Sequence, residues 1–260
     1  MVSRKMCKKE NDMYQNYIFD LYGTLVDINT NEWKMYLWEK LRIFYGYYGA
    51  HYTARELKNS YEQLVSFKEK EMVDKGVEMG PHYSHESYPE IEIEYVFLEM
   101  FRGKGVDATM DMAVHAGQFF RALSTKYIKL YDGAKEMLEG LKAKGKGVYL
   151  LSNAQRIFTE YELKMLGIYD CFDGILISSS ENVKKPDVRF FEKLLERYNL
   201  DPKTCIMIGN DWNSDINGAC SAGMDSFYIH SNISPEIGGE LKATYSLMEM
   251  DLHKVMEIIG

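Results

Sequence analysis

The chain has 260 residues, of which 46% are hydrophobic and 27% charged, as in ordinary globular proteins. This length suffices for one large or two small domains whose core needs no disulfide or structural metal. The net charge of −8 argues against general nucleic-acid binding, although it leaves room for a locally positive site. No apolar stretch reaches the length of a membrane span, and the basic N-terminus has no apolar signal core. We therefore expect a cytoplasmic protein without a nucleic-acid or membrane partner.

The first half of the chain predicts one strand followed by a mostly helical stretch. Residues 1–14 are expected to form a flexible extension before a strand at 16–20, which ends at Asp20. Aromatic and aliphatic residues at helical spacing predict a helix over 33–48. We expect its aromatic residues to lie in a core rather than line a substrate site: Trp33, Tyr36, Tyr47 and Tyr48.

The next segments carry helix and loop signals. Thr53 and Glu56 have the spacing of a capping box, so a helix is expected over 53–73. Glycine and proline residues predict a loop over 74–90. This loop contains four side chains that are suited to contact a polar or aromatic leaving group, or that are simply exposed: His82, Tyr83, His85 and Tyr88. Further helices are expected near 91–102 and 109–125.

After residue 130 strands and helices alternate. The predicted strands are 147–153, 174–179, 204–211 and 226–230, and the predicted helices are 133–144, 155–166, 187–199, 217–223 and 249–259. This alternation indicates an α/β fold with a doubly wound parallel sheet. One isolated strand cannot form a sheet, so the first strand belongs with the later ones. We therefore predict a core domain of 15–30 and 125–260, with an inserted helical cap domain at 31–124.

Polar side chains follow several of these strands. Ligands of open parallel sheets bind beyond the carboxyl ends of the strands. Carboxylates, a hydroxyl, an amide and an ammonium meeting there would suit attack by a carboxylate on an electrophile that carries negative charge. The side chains at these ends are Asp20, Ser152, Asn153, Lys184, Lys185, Asn210 and Asp211.

Four short segments at these positions resemble the motifs of the haloacid dehalogenase superfamily. They are FDLYGTLVD, LLSN, KKPD and IGNDWNSD, in the order and with the spacing of that family. The resemblance covers essentially the whole core domain and implies a Rossmann-like core. The insertion at 31–124 resembles the helical cap that one subfamily, cap type C1, carries between its first two motifs.

The resemblance implies a role for each motif residue. Asp20 would be the covalent nucleophile, and Thr24 and Ser152 would donate hydrogen bonds to the transferred group. Asn153 would orient that group or the nucleophile, and Lys185 would neutralise the developing charge. Taken one at a time, each residue also fits an ordinary role in a turn, a strand end or a solvated loop.

The resemblance also implies a magnesium ion. Its ligands would be Asp20, the backbone carbonyl of Tyr22, Asp211 and Asp215, because magnesium takes oxygen ligands. Asp215 also suits the N-cap of a helix over 216–223.

Two residues depart from the family pattern. Tyr22 stands where most phosphatases of the family have an aspartate that acts as general acid and base, and tyrosine there resembles the dehalogenase branch. That branch uses a cap arginine, for which Arg42 and Arg55 are the candidates. Asn210 replaces an acid of the fourth motif, although Asp211 and Asp215 remain and would repel Asp20 without a cation.

These signals favour a hydrolase, with magnesium-dependent hydrolysis of a small phosphate monoester as the first expectation. A metal-independent dehalogenase and a non-catalytic binder of phosphate esters are the alternatives. The physiological substrate and the oligomeric state remain open at this level.

Overall fold

The computed structural model describes residues 14–78 and 90–260. Nearly all of the predicted N-terminal extension and the four side chains His82, Tyr83, His85 and Tyr88 lie outside the described residues. No helix in the described ranges is both long and apolar enough to cross a membrane.

The described residues form eight strands. Six of them make one parallel sheet in the order β5-β4-β1-β6-β7-β8, and β2 and β3 pair separately. The predicted doubly wound α/β architecture is thereby confirmed. The strands are β1 Asn16–Phe19, β2 Val26–Thr30, β3 Thr125–Leu130, β4 Gly147–Ser152, β5 Gly174–Ile177, β6 Cys205–Gly209, β7 Asp225–Ile229 and β8 Tyr245–Leu247.

The described helices divide between the inserted segment and the sheet region. The four helices of the inserted segment are α1 Met35–Tyr47, α2 Ala54–Glu78, α3 Ile93–Arg102 and α4 Met110–Ser124. The later helices are α5 Ala134–Ala143, α6 Arg156–Met165, α7 Ser178–Glu181, α8 Val188–Tyr198, α9 Gly218–Ser221 and α10 Leu252–Ile259. A π-helical turn, Trp212–Asn217, leads into α9.

Apolar runs explain why the central strands lie in the middle of the sheet. Every residue of β6 is buried, as is most of β1, which fits strands that are covered by helices on both faces. In the register of the sheet, Phe19 of β1 lies beside Leu150 of β4 and Ile208 of β6. The residues that follow these three strands therefore emerge at the same edge.

Contacts divide the chain into two compact units. One comprises the described part of 1–28 together with 129–153 and 163–260, and the other comprises 29–128 and 154–162. The sequence analysis had placed 154–162 in the core domain. These residues belong with the helical unit because Ile157 and Phe158 join its hydrophobic cluster.

The helical unit has its own aromatic core. Tyr45 stacks on Phe101 with ring centroids 4.1 Å apart, and Phe120 contacts both Trp38 and Phe97. Aromatic pairs of this kind add to the free energy that is gained by burying apolar area. The unit therefore has the buried apolar cluster that a compact helical domain needs.

The predicted burial of the α1 aromatic residues is wrong. Trp33, Tyr36, Tyr47 and Tyr48 are exposed, whereas Leu37, Trp38, Leu41 and Tyr45 are buried. Both sets repeat at helical spacing, so periodicity alone did not identify the inner face. Arg42 forms an ion pair with Glu39 on the exposed face of α1, and Arg55 is also exposed.

The start of α2 agrees with the sequence, and its end does not. The Thr53 N–H donates to Glu56 Oε2 at 2.7 Å and the Glu56 N–H donates to Thr53 Oγ1 at 3.2 Å, which confirms the capping box. The helix continues to Glu78, through the first residues of the predicted loop. Gly76 therefore lies within a helix, where glycine is tolerated at a modest cost in free energy.

Candidate active site

The predicted site residues lie at the carboxyl ends of adjacent strands in the α/β unit. Asp20 follows β1, Ser152 ends β4, and Asn210 follows β6. Asp20 is 8% exposed and lines a cavity of about 250 Å³. Because the strands are in register, residues far apart in sequence meet at this edge, as expected for a parallel sheet.

Lys185 is the centre of the charged cluster. Its buried ammonium donates to Asp20 Oδ1 at 2.8 Å, to Asp215 Oδ1 at 2.8 Å and to the Leu151 carbonyl at 2.7 Å. All three ammonium protons therefore have acceptors. Burial lowers the pKa of Lys185, but the two carboxylates outweigh burial and raise the pKa above its usual value. The side chain is therefore a buried cation shared between the carboxylates of Asp20 and Asp215.

Asn153 holds Lys185 rather than contacting Asp20. Its Nδ2 donates to the Lys185 carbonyl at 2.8 Å, and its Oδ1 accepts from the Lys185 N–H at 2.8 Å. This two-point contact fixes the backbone from which the ammonium projects. The sequence analysis expected Asn153 to orient the transferred group or the nucleophile, and the geometry supports that role only through the lysine.

Thr24 joins Asp20 to Asn210 of the fourth motif. Its fully buried hydroxyl lies 3.3 Å from both Asp20 Oδ2 and Asn210 Oδ1, so one proton is shared between two acceptors. Asn210 packs against Gly23, where an added Cβ would lie 2.3 Å from Asn210 Nδ2. Gly23 also has a φ of +87°, which favours glycine. The tight turn after Asp20 therefore depends on a residue without a side chain.

Ser152 differs from the other site residues because its hydroxyl is buried and unsatisfied. Its Oγ has no hydrogen-bond partner among the described residues, although the side chain is fully buried. Such a group is costly unless something bonds to it. The hydroxyl is therefore available to a bound ligand.

Asp211 and Asp215 are placed by backbone hydrogen bonds. Asp211 Oδ1 accepts from the N–H groups of Asn213 and Ser214, so Asp211 is the N-cap of the helical turn. The alternative role of Asp215 as the N-cap is wrong, because the helical segment begins earlier, at Trp212. Asp215 Oδ2 instead accepts from the Asp211 N–H at 2.9 Å.

The charges in the cavity are unbalanced. Asp20, Asp211 and Asp215 line it against Lys185, the one cation among the described lining residues. Burial raises the pKa of Asp215 to about 7, and the charge of Asp20 adds to this while Lys185 opposes it. A bound cation would relieve this excess of negative charge.

The donor set fits magnesium better than a fully protein-ligated metal. Among the described residues, no three histidine, cysteine, aspartate or glutamate side chains are grouped closely enough to hold a metal ion. Magnesium commonly takes only one or two carboxylates, with waters and phosphate oxygens completing its shell. The carboxylates at this edge satisfy that smaller requirement.

The cavity lining also includes residues that the sequence analysis did not assign to the site. Ser214 belongs to the fourth motif, while Ile233 and Pro235 follow β7. Because β7 belongs to the same parallel sheet, the residues after its carboxyl end carry the same sequence signal as those after β1, β4 and β6. Tyr22, as predicted, lines the cavity beside Asp20.

Gly209 is required by the position of Asp215. An added Cβ would lie 2.2 Å from Asp215 Oδ2 and 2.5 Å from its Cβ, so the whole carboxylate side chain would have to move. We expect Gly209→Ala to lower the free energy of unfolding by about 2 kcal/mol, because it disrupts a buried ion pair and overpacks the site. Urea unfolding monitored by circular dichroism measures the change.

Gly140 provides the matched control for this substitution. It lies in α5, and an added Cβ there has nothing within 4 Å. Gly140→Ala should leave stability unchanged or raise it by up to about 1 kcal/mol, because alanine favours helix. Equal unfolding midpoints for the two variants would contradict the role assigned to Gly209.

The site combines a buried carboxylate, a cation that neutralises it, and free hydrogen-bonding capacity beside an open cavity. This arrangement is typical of enzymes that use a carboxylate as nucleophile. A model of the haloacid dehalogenase-like hydrolases matches residues 14–223. The chain belongs to this family of hydrolases, which confirms the expectation from its four motifs at the level of the superfamily.

Curated relatives are similar over part of the chain. The glyceraldehyde 3-phosphate phosphatase of Methanothermobacter thermautotrophicus is 33% identical over 107 residues, which is 41% of this chain and 47% of that protein. The protein of the same name from Pyrococcus furiosus is 29% identical over 133 residues, 51% of this chain and 55% of that protein. The chain thus matches about half the length of these relatives.

Solved structures share the fold over nearly the whole chain. A 2-haloacid dehalogenase from Pseudomonas syringae superposes with a TM-score of 0.61 at 19% identity, covering 95% of this chain and 98% of that one. A phosphatase from Thermococcus onnurineus gives a TM-score of 0.52 at 17% identity, with the same coverage of both chains. At these identities the likeness shows the fold alone.

Proposed function

We propose that the protein is a magnesium-dependent phosphatase that hydrolyses a small phosphate monoester through an aspartyl phosphate on Asp20. The observation that carries the proposal is the Asp20 carboxylate at the cavity, held 2.8 Å from the buried ammonium of Lys185. Phosphatase names among the relatives support phosphoryl transfer to Asp20 over displacement of a halide. A cavity of about 250 Å³ suits a small ester.

The first step forms a bond between an Asp20 oxygen and phosphorus while the bond from phosphorus to the ester oxygen breaks. Lys185 holds Asp20 through a hydrogen bond and stabilises the negative charge of the phosphoryl group. The unsatisfied Ser152 hydroxyl donates to a phosphoryl oxygen, and the Thr24 hydroxyl does so when it releases Asp20. Asn153 positions Lys185, and through it the charge.

The second step is attack of water on the aspartyl phosphate, which returns the carboxylate and releases inorganic phosphate. Overall, one water and one monoester become one alcohol and one phosphate. The leaving oxygen needs a proton, and Tyr22 lines the cavity where the family commonly has an aspartate. Tyrosine is a weak acid, so we expect faster turnover of esters whose leaving groups need little protonation.

Magnesium would be held by one or two of the carboxylates of Asp20, Asp211 and Asp215 and by the Tyr22 backbone carbonyl, with waters and phosphate oxygens completing its shell. The excess of carboxylates over ammonium groups along the cavity supports this set. The ion would supply a positive charge that screens the carboxylates from the anionic substrate. Asp211 contributes while its Oδ1 caps the helical turn, because a carboxylate has lone pairs for both.

The test is phosphate release from p-nitrophenyl phosphate and a panel of small phosphate monoesters, assayed with magnesium and with EDTA. We expect release in magnesium and a loss of at least about 100-fold in EDTA, because the substrate then meets uncompensated carboxylates. Asp20→Asn is the negative control. Release that is equal in EDTA would contradict the role of the metal, and no release from any ester would contradict the phosphatase.

A dehalogenase is the second candidate, and one observation favours it. A departing halide needs no proton, so Tyr22 beside Asp20 would be no handicap. Chloride release from 2-chloropropionate without metal is the corresponding measurement. It becomes the expected reaction if the phosphate panel is negative.

We further propose that the unit formed by 29–128 and 154–162 acts as a type C1 cap that selects the substrate. Its own aromatic core supports an independent folding unit. The partner in this proposal is the small-molecule substrate.

Cys171 and Cys205 are buried free thiols, which fits the reducing cytoplasm expected from the sequence.

A further inference from the structure

The turn that follows β7 brings apolar side chains to the candidate active site. Ile233 and Pro235 line the same cavity as Asp20, where the other described lining residues are charged, amide, hydroxyl or phenol side chains. Binding a phosphoryl group needs no aliphatic contact. These two residues therefore face a part of the ligand other than its phosphate.

The turn is held in place by several hydrogen bonds. The Ser234 N–H donates to the Ser231 carbonyl at 3.2 Å, which closes a four-residue turn, and the Ser231 N–H donates to Ser234 Oγ at 2.9 Å. Within the turn, the side-chain Nδ2 of Asn232 donates to Asp27 Oδ1 at 3.1 Å. Ile233 is thus presented from a fixed backbone while its side chain is 38% exposed.

Asn210 connects this turn to the nucleophile. Its Nδ2 lies 3.3 Å from Ser234 Oγ and 3.4 Å from Ser231 Oγ, while its Oδ1 accepts from Thr24. An amide donates on one side and accepts on the other, whereas an ionised carboxylate only accepts. Asn210, which departs from the family's acidic residue, therefore links the turn to Asp20 through Thr24.

We propose that this turn determines leaving-group selectivity, with Ile233 as the contact residue, and that it favours phosphate monoesters whose leaving group is uncharged. This inference rests on the proposed phosphatase function. An anionic group on the leaving alcohol would give up its bound water on contact with the apolar side chains of Ile233 and Pro235, which costs free energy. It would also meet the carboxylates of the cavity with no cation of its own among the described lining residues.

The test compares two esters that share a carbon skeleton, glycolaldehyde phosphate and 2-phosphoglycolate. The wild type should have the higher kcat/KM for glycolaldehyde phosphate. Ile233→Lys should shift the ratio of the two kcat/KM values towards 2-phosphoglycolate by about fivefold, the effect of one exposed charge pair. Ile233→Ser should lower kcat/KM for p-nitrophenyl phosphate by about tenfold, because an apolar contact is lost.

Two controls separate selectivity from folding. Ile43→Lys changes an isoleucine of similar exposure, 40%, that is not part of the described cavity lining, and it should leave the ratio unchanged. Inhibition by inorganic phosphate should be the same in Ile233→Ser as in the wild type, because phosphate does not need the apolar wall. A general loss of structure in Ile233→Ser would lower both its kcat/KM for p-nitrophenyl phosphate and its inhibition by inorganic phosphate.

The outcomes distinguish this inference from the function on which it rests. The selectivity role is overturned if the wild type hydrolyses both esters but prefers 2-phosphoglycolate. It is also overturned if Ile233→Lys leaves the ratio of the two kcat/KM values unchanged. Neither result contradicts the phosphatase function. A wild type that hydrolyses other esters of the panel but neither of these two also overturns the selectivity role, whereas a wild type that releases phosphate from no ester of the panel overturns both.

Discussion

Replacing Lys185 by methionine should lower the free energy of unfolding by about 3–5 kcal/mol, the cost of leaving buried charges without their partner. The substitution keeps the length of the side chain but leaves Asp20 and Asp215 buried side by side. It also leaves the Leu151 carbonyl without its donor. Phosphate release should fall to background, because the nucleophile and the phosphoryl group would repel each other.

Urea unfolding and initial-rate assays measure these effects. Lys184→Met is the matched control, since this neighbouring lysine is only partly buried and should cost less than about 1 kcal/mol. The double variant Lys185→Met/Asp215→Asn should recover part of the lost stability, because it removes one of the two uncompensated charges. Additive losses in the double variant would show that Lys185 does not stabilise the site through Asp215.

Replacing Asp20 by asparagine should lower kcat by about 1,000-fold or more, because an amide oxygen is a poor nucleophile for phosphorus. The fold should be retained to within about 1 kcal/mol, because the amide oxygen can still accept from Lys185 and Asp215 still balances the ammonium. An acid-quenched reaction of the wild type should carry a phosphoryl group on the peptide that contains Asp20, as seen by mass spectrometry.

The Asp20→Asn variant should show no phosphoryl group on this peptide. Asp170→Asn changes an exposed aspartate that is not part of the described cavity lining, and it should keep both the activity and the adduct. Full turnover by Asp20→Asn, or an adduct at another residue, would remove Asp20 from the mechanism. Loss of turnover together with unfolding would instead assign it a structural role.

The sequence predicted the α/β sheet because its signals are local. Short apolar runs such as CIMIG mark strands buried on both faces, and the following polar residues mark the ligand edge. The helix start at Thr53 was predictable for the same reason, since its capping box spans four residues. The short strands β2, β3 and β8 were not predicted, because each is partly exposed and lacks a clear pattern.

Contacts between side chains that are distant in the chain could not be predicted from the sequence. Nothing in LLSN indicates that Asn153 would bond to the backbone of Lys185, because the contact joins two loops through space. The inner face of α1 was misassigned because its tyrosines repeat at the same period as its buried residues. Asp215 suited the N-cap of a helix over 216–223, but the π-helical turn starts the helical segment at Trp212 and makes Asp211 the cap.

The three contacts of the Lys185 ammonium join residues that are 165, 34 and 30 positions apart in the chain. Contacts of such high sequence separation form late, since each needs a large loop to close first. Before β1, β4 and the helical turn at Trp212 assemble, the Lys185 ammonium stays in water. The Asp20 carboxylate then lacks the positive charge that contacts it in the folded chain. We therefore expect the proposed phosphatase activity to arise only with the completed sheet, and partly folded chains to be inert towards phosphate esters.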